Sequence, residues 1–291
     1  MTGRPVSTQQ QPAAAAPHVR EAGAGARDSV VCVHSNAASS SQWRALFERL
    51  APRWHVLAPD SYGSGKSPPW TAARPMTLAD EVALIEPVLA RAAGGRCALV
   101  GHSYGGAVCL KAALQRPGRV SALVLYEPTL FALLAGADDA VLPPDAARGI
   151  RETVERSAAA IDAGDLDAAS RAFIDYWMGS GAWDAMPEPR RAPIRASVVL
   201  IRHWSNALMH EPTPRAAFAA LDVPALLMVG GASPASSRAV ARVLARTLPR
   251  VEVVEFDGLG HMAPVTHADV VNDAIAAFLE RHAADAPAAS S

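Results

Sequence analysis

Residues 97–114 read CALVGHSYGGAVCLKAAL, an apolar run that meets a turn of small residues and passes at once into a helical pattern. The opening residues suit a buried strand, continuous in apolar side chains as a parallel strand covered on both faces is. Between strand and helix lies Gly101-His102-Ser103-Tyr104-Gly105. A bare G-x-S-x-G arises by chance about 0.1 times in a chain this long if Gly and Ser each run near 7%, so the pentapeptide alone says little. Its place at a strand-to-helix junction says more. A sharp turn there holds a serine in a strained conformation with its hydroxyl exposed, and the glycines leave room for close approach of the backbone. The helix that follows points its N-terminus at Ser103 and favours a developing negative charge.

Outward from this junction, short β-branched runs alternate with longer helical ones. Ser29–Val33, His55–Ala58, Ala122–Tyr126, Ala225–Val229 and Val251–Glu255 join Cys97–Gly101 as expected buried strands. The helices between them show in their period and caps. Ser39-x-x-Gln42 and Thr77-x-x-Asp80 have capping-box spacing, and Trp43, Leu46, Phe47 and Leu50 form one apolar face. Val240, Val243, Leu244 and Leu248 form another, as do Val271, Ile275, Phe278 and Leu279. Such alternation implies crossover units: an α/β, doubly wound, mostly parallel sheet with helices on both faces and ligands at the carboxyl ends of its strands. From 132 to 219 there is helical pattern but no convincing strand, so this stretch is expected to form an inserted helical cap over the strand ends. The expected organisation is a core of 18–131 and 220–283, a cap of 132–219, and tails at 1–17 and 284–291. The N-terminal tail is low in complexity and interrupted by Pro.

The 291 residues carry 27 basic and 28 acidic side chains, a formal net charge of -1, and 50% hydrophobic residues. A chain of this length can bury a large core without disulfides or metals. Near-neutral charge argues against nucleic acid as a partner. No apolar run approaches the roughly 20 residues that span a bilayer, and the first residues lack an apolar signal core, so no membrane partner and a cytoplasmic location are expected. Cys32, Cys97 and Cys109 sit in apolar predicted elements, where free Cys behaves as a small hydrophobe. No Cys/His metal spacing occurs, and neither a metal nor a cofactor is expected.

A serine hydroxyl needs a base within hydrogen-bond reach. Of the nine histidines, His261 in Gly258-Leu259-Gly260-His261-Met262 combines a strand-end loop, flanking glycines and the right chain order, on the same rim as Ser103. His102 lies inside the turn and is expected to pack below the sheet rim. His34 borders the site, where it would orient a loop.

From about His18 to His282 the chain resembles the α/β-hydrolase fold superfamily, in its single-domain group with a helical cap. The G-x-S-x-G turn, Asp60-x-x-Gly63-x-Gly65-x-Ser67 and the GLGHM segment carry the resemblance, which is specific for fold and much less so for substrate. It departs from the family pattern twice. The family usually has a triad acid after the strand read here as Ala225–Val229, in the form G-x-x-D-P. This chain has Gly230-Gly231-Ala232-Ser233-Pro234, and a neutral hydroxyl cannot stabilise the imidazolium that forms when the base takes a proton. In some members, haloalkane-dehalogenase-like ones among them, the acid follows the preceding strand, which here ends Tyr126-Glu127-Pro128. Glu127 is therefore the acid candidate, with a carboxylate such as Asp257, or a Ser/His dyad, as alternatives. The second departure is His34-Ser35-Asn36 in place of His-Gly. By position, the resemblance implies an oxyanion hole from the backbone amides of Asn36 and Tyr104.

The helical stretch holds Phe173, Tyr176, Trp177, Met178, Trp183, Met186 and Trp204, an aromatic and Met-rich set that suggests an apolar acyl or alcohol group in the substrate. Trp177 and Trp204 from the cap, with His34 and Ser35, are the expected substrate-contacting residues. No Lys/Arg cluster marks a phosphate or CoA clamp. The expected activity is that of a serine hydrolase, Ser103, His261 and Glu127 forming its triad, that cleaves a carboxylic ester of a small-molecule substrate through an acyl-enzyme. It is expected to work as a monomer or homodimer. C–C bond, lactone or thioester hydrolysis, acyl transfer, and a catalytically weak ligand-binding role are the alternatives. Serine at the nucleophile position argues against dehalogenase or epoxide hydrolase chemistry, which relies on a carboxylate.

Overall fold

The computed structural model describes residues 16–135 and 145–283. The expected tails therefore lie outside the described residues except for Ala16 and Pro17, as do residues 136–144 of the expected cap. In chain order the strands are β1 (Val19–Ala22), β2 (Asp28–Val33), β3 (Trp54–Pro59), β4 (Cys97–His102), β5 (Val120–Tyr126), β6 (Ala225–Gly230) and β7 (Val251–Phe256). They form one sheet in the order β1-β3-β2-β4-β5-β6-β7. Every pair is parallel except β1 with β3. The expected strands match β2 to β7 to within a few residues, but β7 is not buried as expected: it forms an edge of the sheet, and Glu252, Val253 and Glu255 are exposed. β1 has no counterpart in the sequence reading: VREA lacks an apolar alternation, and the strand is held by main-chain pairing such as Arg20 with Ala58 along β3.

Successive residues of each inner strand face opposite layers, as the period of two requires. Val31 and Val33 of β2 lie in the layer of the core that also holds α2 (Leu78–Leu89), α3 (Tyr104–Gln115) and α10 (Ala235–Ala245). Val30 and Cys32 pack instead with α1 (Arg44–Leu50) and α12 (Ala268–Ala283). Asp80 caps α2 as its spacing predicts, accepting from the Thr77 amide at 2.9 Å and its hydroxyl at 2.7 Å. The Ser39 capping box does not close in the same way. Gln42 turns away from Ser39, and its Oε1 accepts instead from the Ser35 hydroxyl at 2.9 Å and amide at 3.2 Å.

Between β5 and β6 the described residues hold helices and no strand: α4 (Arg148–Asp162), α5 (Leu166–Met178), α6 (Ala182–Ala185), α7 (Glu188–Val198), α8 (Ile201–Met209) and α9 (Arg215–Phe218). One short helix, α11 (Ala263–Thr266), follows β7. The helical layer is tied to the core by the Tyr176 hydroxyl, 2.6 Å from Ser236 Oγ, and by Lys111 Nζ donating to Glu211 at 2.6 Å and Thr213 at 2.8 Å. No described helix is long and apolar enough to cross a membrane.

Candidate active site

β4 delivers Ser103 to the sheet rim with φ 56° and ψ -118°, a left-handed conformation rare for a residue with a side chain. Surrounding contacts hold the strain. The Ser103 amide donates to the Tyr126 carbonyl at 2.9 Å, and the Ser103 carbonyl accepts from the Thr129 amide at 3.2 Å. Gly105 is required for a separate reason, because a Cβ there would lie 2.2 Å from the Val33 carbonyl oxygen. β2 and α3 thus approach as closely as backbone allows.

Ser103 Oγ is 2.9 Å from His261 Nε2, and His261 Nδ1 is 2.6 Å from Glu127 Oε2. All three residues are buried. Burial alone would raise the Glu127 pKa, but the hydrogen bond and charge of His261, the nearby Ser233 hydroxyl and the Gly230 amide outweigh it and hold the carboxyl below its ordinary value. An ionised Glu127 accepts from Nδ1–H, which leaves Nε2 as acceptor for the serine proton. Glu127 Oε1 takes the Gly230 amide at 2.7 Å. The segment with Ser in place of the family's Asp therefore contributes a main-chain donor to the Glu127 carboxylate. Ser233 Oγ makes no well-formed hydrogen bond of its own. Asp257, the alternative acid, is exposed.

Two residues whose part was not read from the sequence fix the His261 main chain. His102 Nε2 donates to the His261 carbonyl at 2.8 Å, and the Tyr126 hydroxyl donates to the Gly260 carbonyl at 2.9 Å. Burial and the neighbouring His261 push the His102 pKa well down, so its ring stays neutral. The expectation that His102 packs below the rim is thus extended to a specific hydrogen bond. Above the site the Trp177 indole stacks on the His261 ring, centroids 4.0 Å apart.

Asn36 and Tyr104 flank Ser103. Neither of their amides donates to an acceptor among the described residues; for Tyr104 the free amide follows from its place at the first position of α3, where helical N–H groups have no intrahelical partner. His34 differs from its expected role as a substrate contact. Its Nε2 accepts from the Ser61 amide at 3.0 Å and its Nδ1 donates to the Ser35 carbonyl at 2.7 Å. Both ring nitrogens are occupied, and burial lowers the pKa, so His34 acts as a neutral brace between two loops. Ser35 does line the adjoining cleft, of about 1070 Å³, as do Asn36, Ser103, Trp177 and His261. Trp204 lines a separate inner pocket that also reaches Ser103. Beneath Tyr104, its hydroxyl donates to the buried Glu81 carboxyl at 3.2 Å.

The Ser103–His261–Glu127 geometry can activate a serine hydroxyl. Known proteins agree with the fold. The lipase LipV of Mycobacterium tuberculosis is 30% identical over 260 residues, 85% of this chain and 91% of the lipase. The pimeloyl-[acyl-carrier protein] methyl ester esterase of Nitrosomonas europaea is 27% identical over 252 residues, 84% and 92% of the two chains. A solved hydrolase from Oleispira antarctica superposes with a TM-score of 0.73 at 17% identity, covering 91% of this chain and 94% of its own. The sequence model of the alpha/beta hydrolase fold matches residues 28–268, and the chain belongs to that family.

Proposed function

We propose that the protein is a serine hydrolase that cleaves carboxylic esters of small, largely apolar molecules through an acyl-enzyme. The observation that carries this reading is the hydrogen-bonded chain from Ser103 Oγ through His261 to Glu127. His261 Nε2 takes the Ser103 proton as Oγ bonds to the substrate carbonyl carbon, and the Asn36 and Tyr104 amides receive the oxyanion. Each such donor is worth ~3 kcal/mol of transition-state stabilisation. Nε2 then passes the proton to the alkoxide as the ester C–O bond breaks. Water repeats the sequence on the acyl-enzyme, releasing the acid and restoring Ser103. Glu127 orients the imidazole and balances the charge it acquires.

Family membership and similarity to a lipase and an ester esterase support hydrolysis. Three unpaired, buried cysteines support a reducing, cytoplasmic location. The test is labelling by a fluorophosphonate probe together with turnover of p-nitrophenyl acetate. Both are expected of the native chain and lost in Ser103→Ala. Failure of the native chain to label or turn over would leave the ligand-binding alternative in place.

A further inference from the structure

Two cavities of unequal size meet at Ser103. The outer is the open cleft of about 1070 Å³, with an apolar wall from Met186, Pro193 and Ile194. The inner holds about 30 Å³ and is lined by Phe131, Ile150, Trp204, Leu208 and Met209. Asn36, Ser103, Phe173 and Trp177 border both and so form the neck between them. His261 borders the outer cleft but not the inner pocket.

Given the ester-hydrolase reading, on which this argument rests, that asymmetry sorts the substrate. The tetrahedral carbon on Ser103 Oγ carries three further substituents: the oxyanion, the leaving oxygen with its alcohol, and the acyl chain. The C–O bond breaks as His261 Nε2 gives its proton to the departing oxygen, so the alcohol must lie on the His261 side. That side is the outer cleft. The oxyanion faces the Asn36 and Tyr104 amides, and the acyl chain is left with the inner pocket. At about 30 Å³ against about 1070 Å³ for the outer cleft, the inner pocket is by far the smaller and takes the shorter chain. We propose that the enzyme is selective for short acyl groups, acetyl or propionyl, esterified to larger apolar alcohols that occupy the outer cleft.

Heptyl acetate and methyl octanoate test this directly, because they are isomers that differ only in which side of the ester is long. With the full-length protein, kcat/KM is expected to favour heptyl acetate by about tenfold or more, since each surplus methylene in a filled pocket is discriminated against. Equal rates, or preference for methyl octanoate, would overturn the division while leaving ester hydrolysis standing. Turnover of neither, with none of p-nitrophenyl acetate, would overturn both. Met209→Ala and Ile150→Ala enlarge the inner pocket and are expected to narrow the ratio by raising methyl octanoate turnover. A ratio unchanged in folded variants would show that this pocket does not receive the acyl chain, and if neither variant folds the native isomer ratio still decides.

Discussion

The indole of Trp177 lies nearly parallel to the imidazole of His261, with ring centroids 4.0 Å apart and planes 26° from one another. Trp177 belongs to α5 of the helical layer, whereas His261 follows β7 of the core. The layer above the sheet therefore supplies a wall of the cleft and also touches the proposed base itself.

An aromatic face attracts a cation, and the imidazole becomes one as Ser103 loses its proton. At ~1–2 kcal/mol for a desolvated pair, Trp177→Leu is expected to lower kcat about tenfold. Trp177→Phe should retain most of it. Steady-state kinetics on p-nitrophenyl acetate would reveal the effect, and a loss confined to KM would mean that the ring serves the substrate alone.

Glu127→Gln removes the charge that favours the imidazolium and is expected to lower kcat by roughly 10⁴, the scale seen when a triad acid is neutralised. Ser233→Ala removes a hydroxyl with no well-formed hydrogen bond and should stay within about fivefold of the native enzyme. If the two variants behave the other way round, the acid has been misassigned.

Glu81 is fully buried beneath Tyr104, and desolvation by burial raises its pKa to about 7 from an ordinary 4.5, against the opposing hydrogen bonds of Tyr62 and Tyr104. A carboxyl whose pKa is raised by folding stabilises the folded state fully below 4.5, and that contribution is lost as pH climbs to 7 and beyond. The native protein should therefore lose stability between pH 5 and pH 8, by on the order of 3 kcal/mol from this group. Glu81→Gln should flatten the change. Thermal unfolding of both proteins at the two pH values checks it; parallel Tm curves would contradict the assignment.

Gly105→Ala places a methyl group 2.2 Å from the Val33 carbonyl oxygen and 2.6 Å from that of His34. Both are backbone atoms of the segment leading to Asn36, so the clash cannot be relieved by a side-chain rotation. The variant is expected to lose ~2 kcal/mol or more of stability and to label poorly with fluorophosphonate, read by denaturant unfolding and by gel fluorescence. Labelling at the native rate would show that α3 can recede from β2 without harm.

The inner strands were legible because each is continuous in apolar residues and is covered on both faces. β1 was not, since pairing along the edge of a sheet is made by amides and carbonyls that every residue carries. Ser103 and His261 stood out through glycines and position at strand ends. Glu127 was reached through the missing Asp at Ser233, yet its backbone φ of 42° has no signature in Tyr-Glu-Pro. His34 orients a loop as expected, but its two occupied ring nitrogens do not reach into the pocket; sequence shows proximity to a site but not which way a ring nitrogen points. The Trp177 stack on His261 joins residues 84 positions apart in the chain, and no local pattern marks it.

Glu127 and Ser233 follow neighbouring strands, β5 and β6, and the Gly230 amide of the Ser233 segment donates to the Glu127 carboxylate at 2.7 Å. Two adjacent positions are thus able to serve one imidazole, but not together, because side-by-side carboxylates raise each other's pKa and one would stay protonated. A carboxylate placed at 233 beside Glu127 would therefore raise the Glu127 pKa and weaken its hold on the imidazolium. The hydroxyl at 233 avoids that conflict: it is uncharged and small enough to fit beside Gly230.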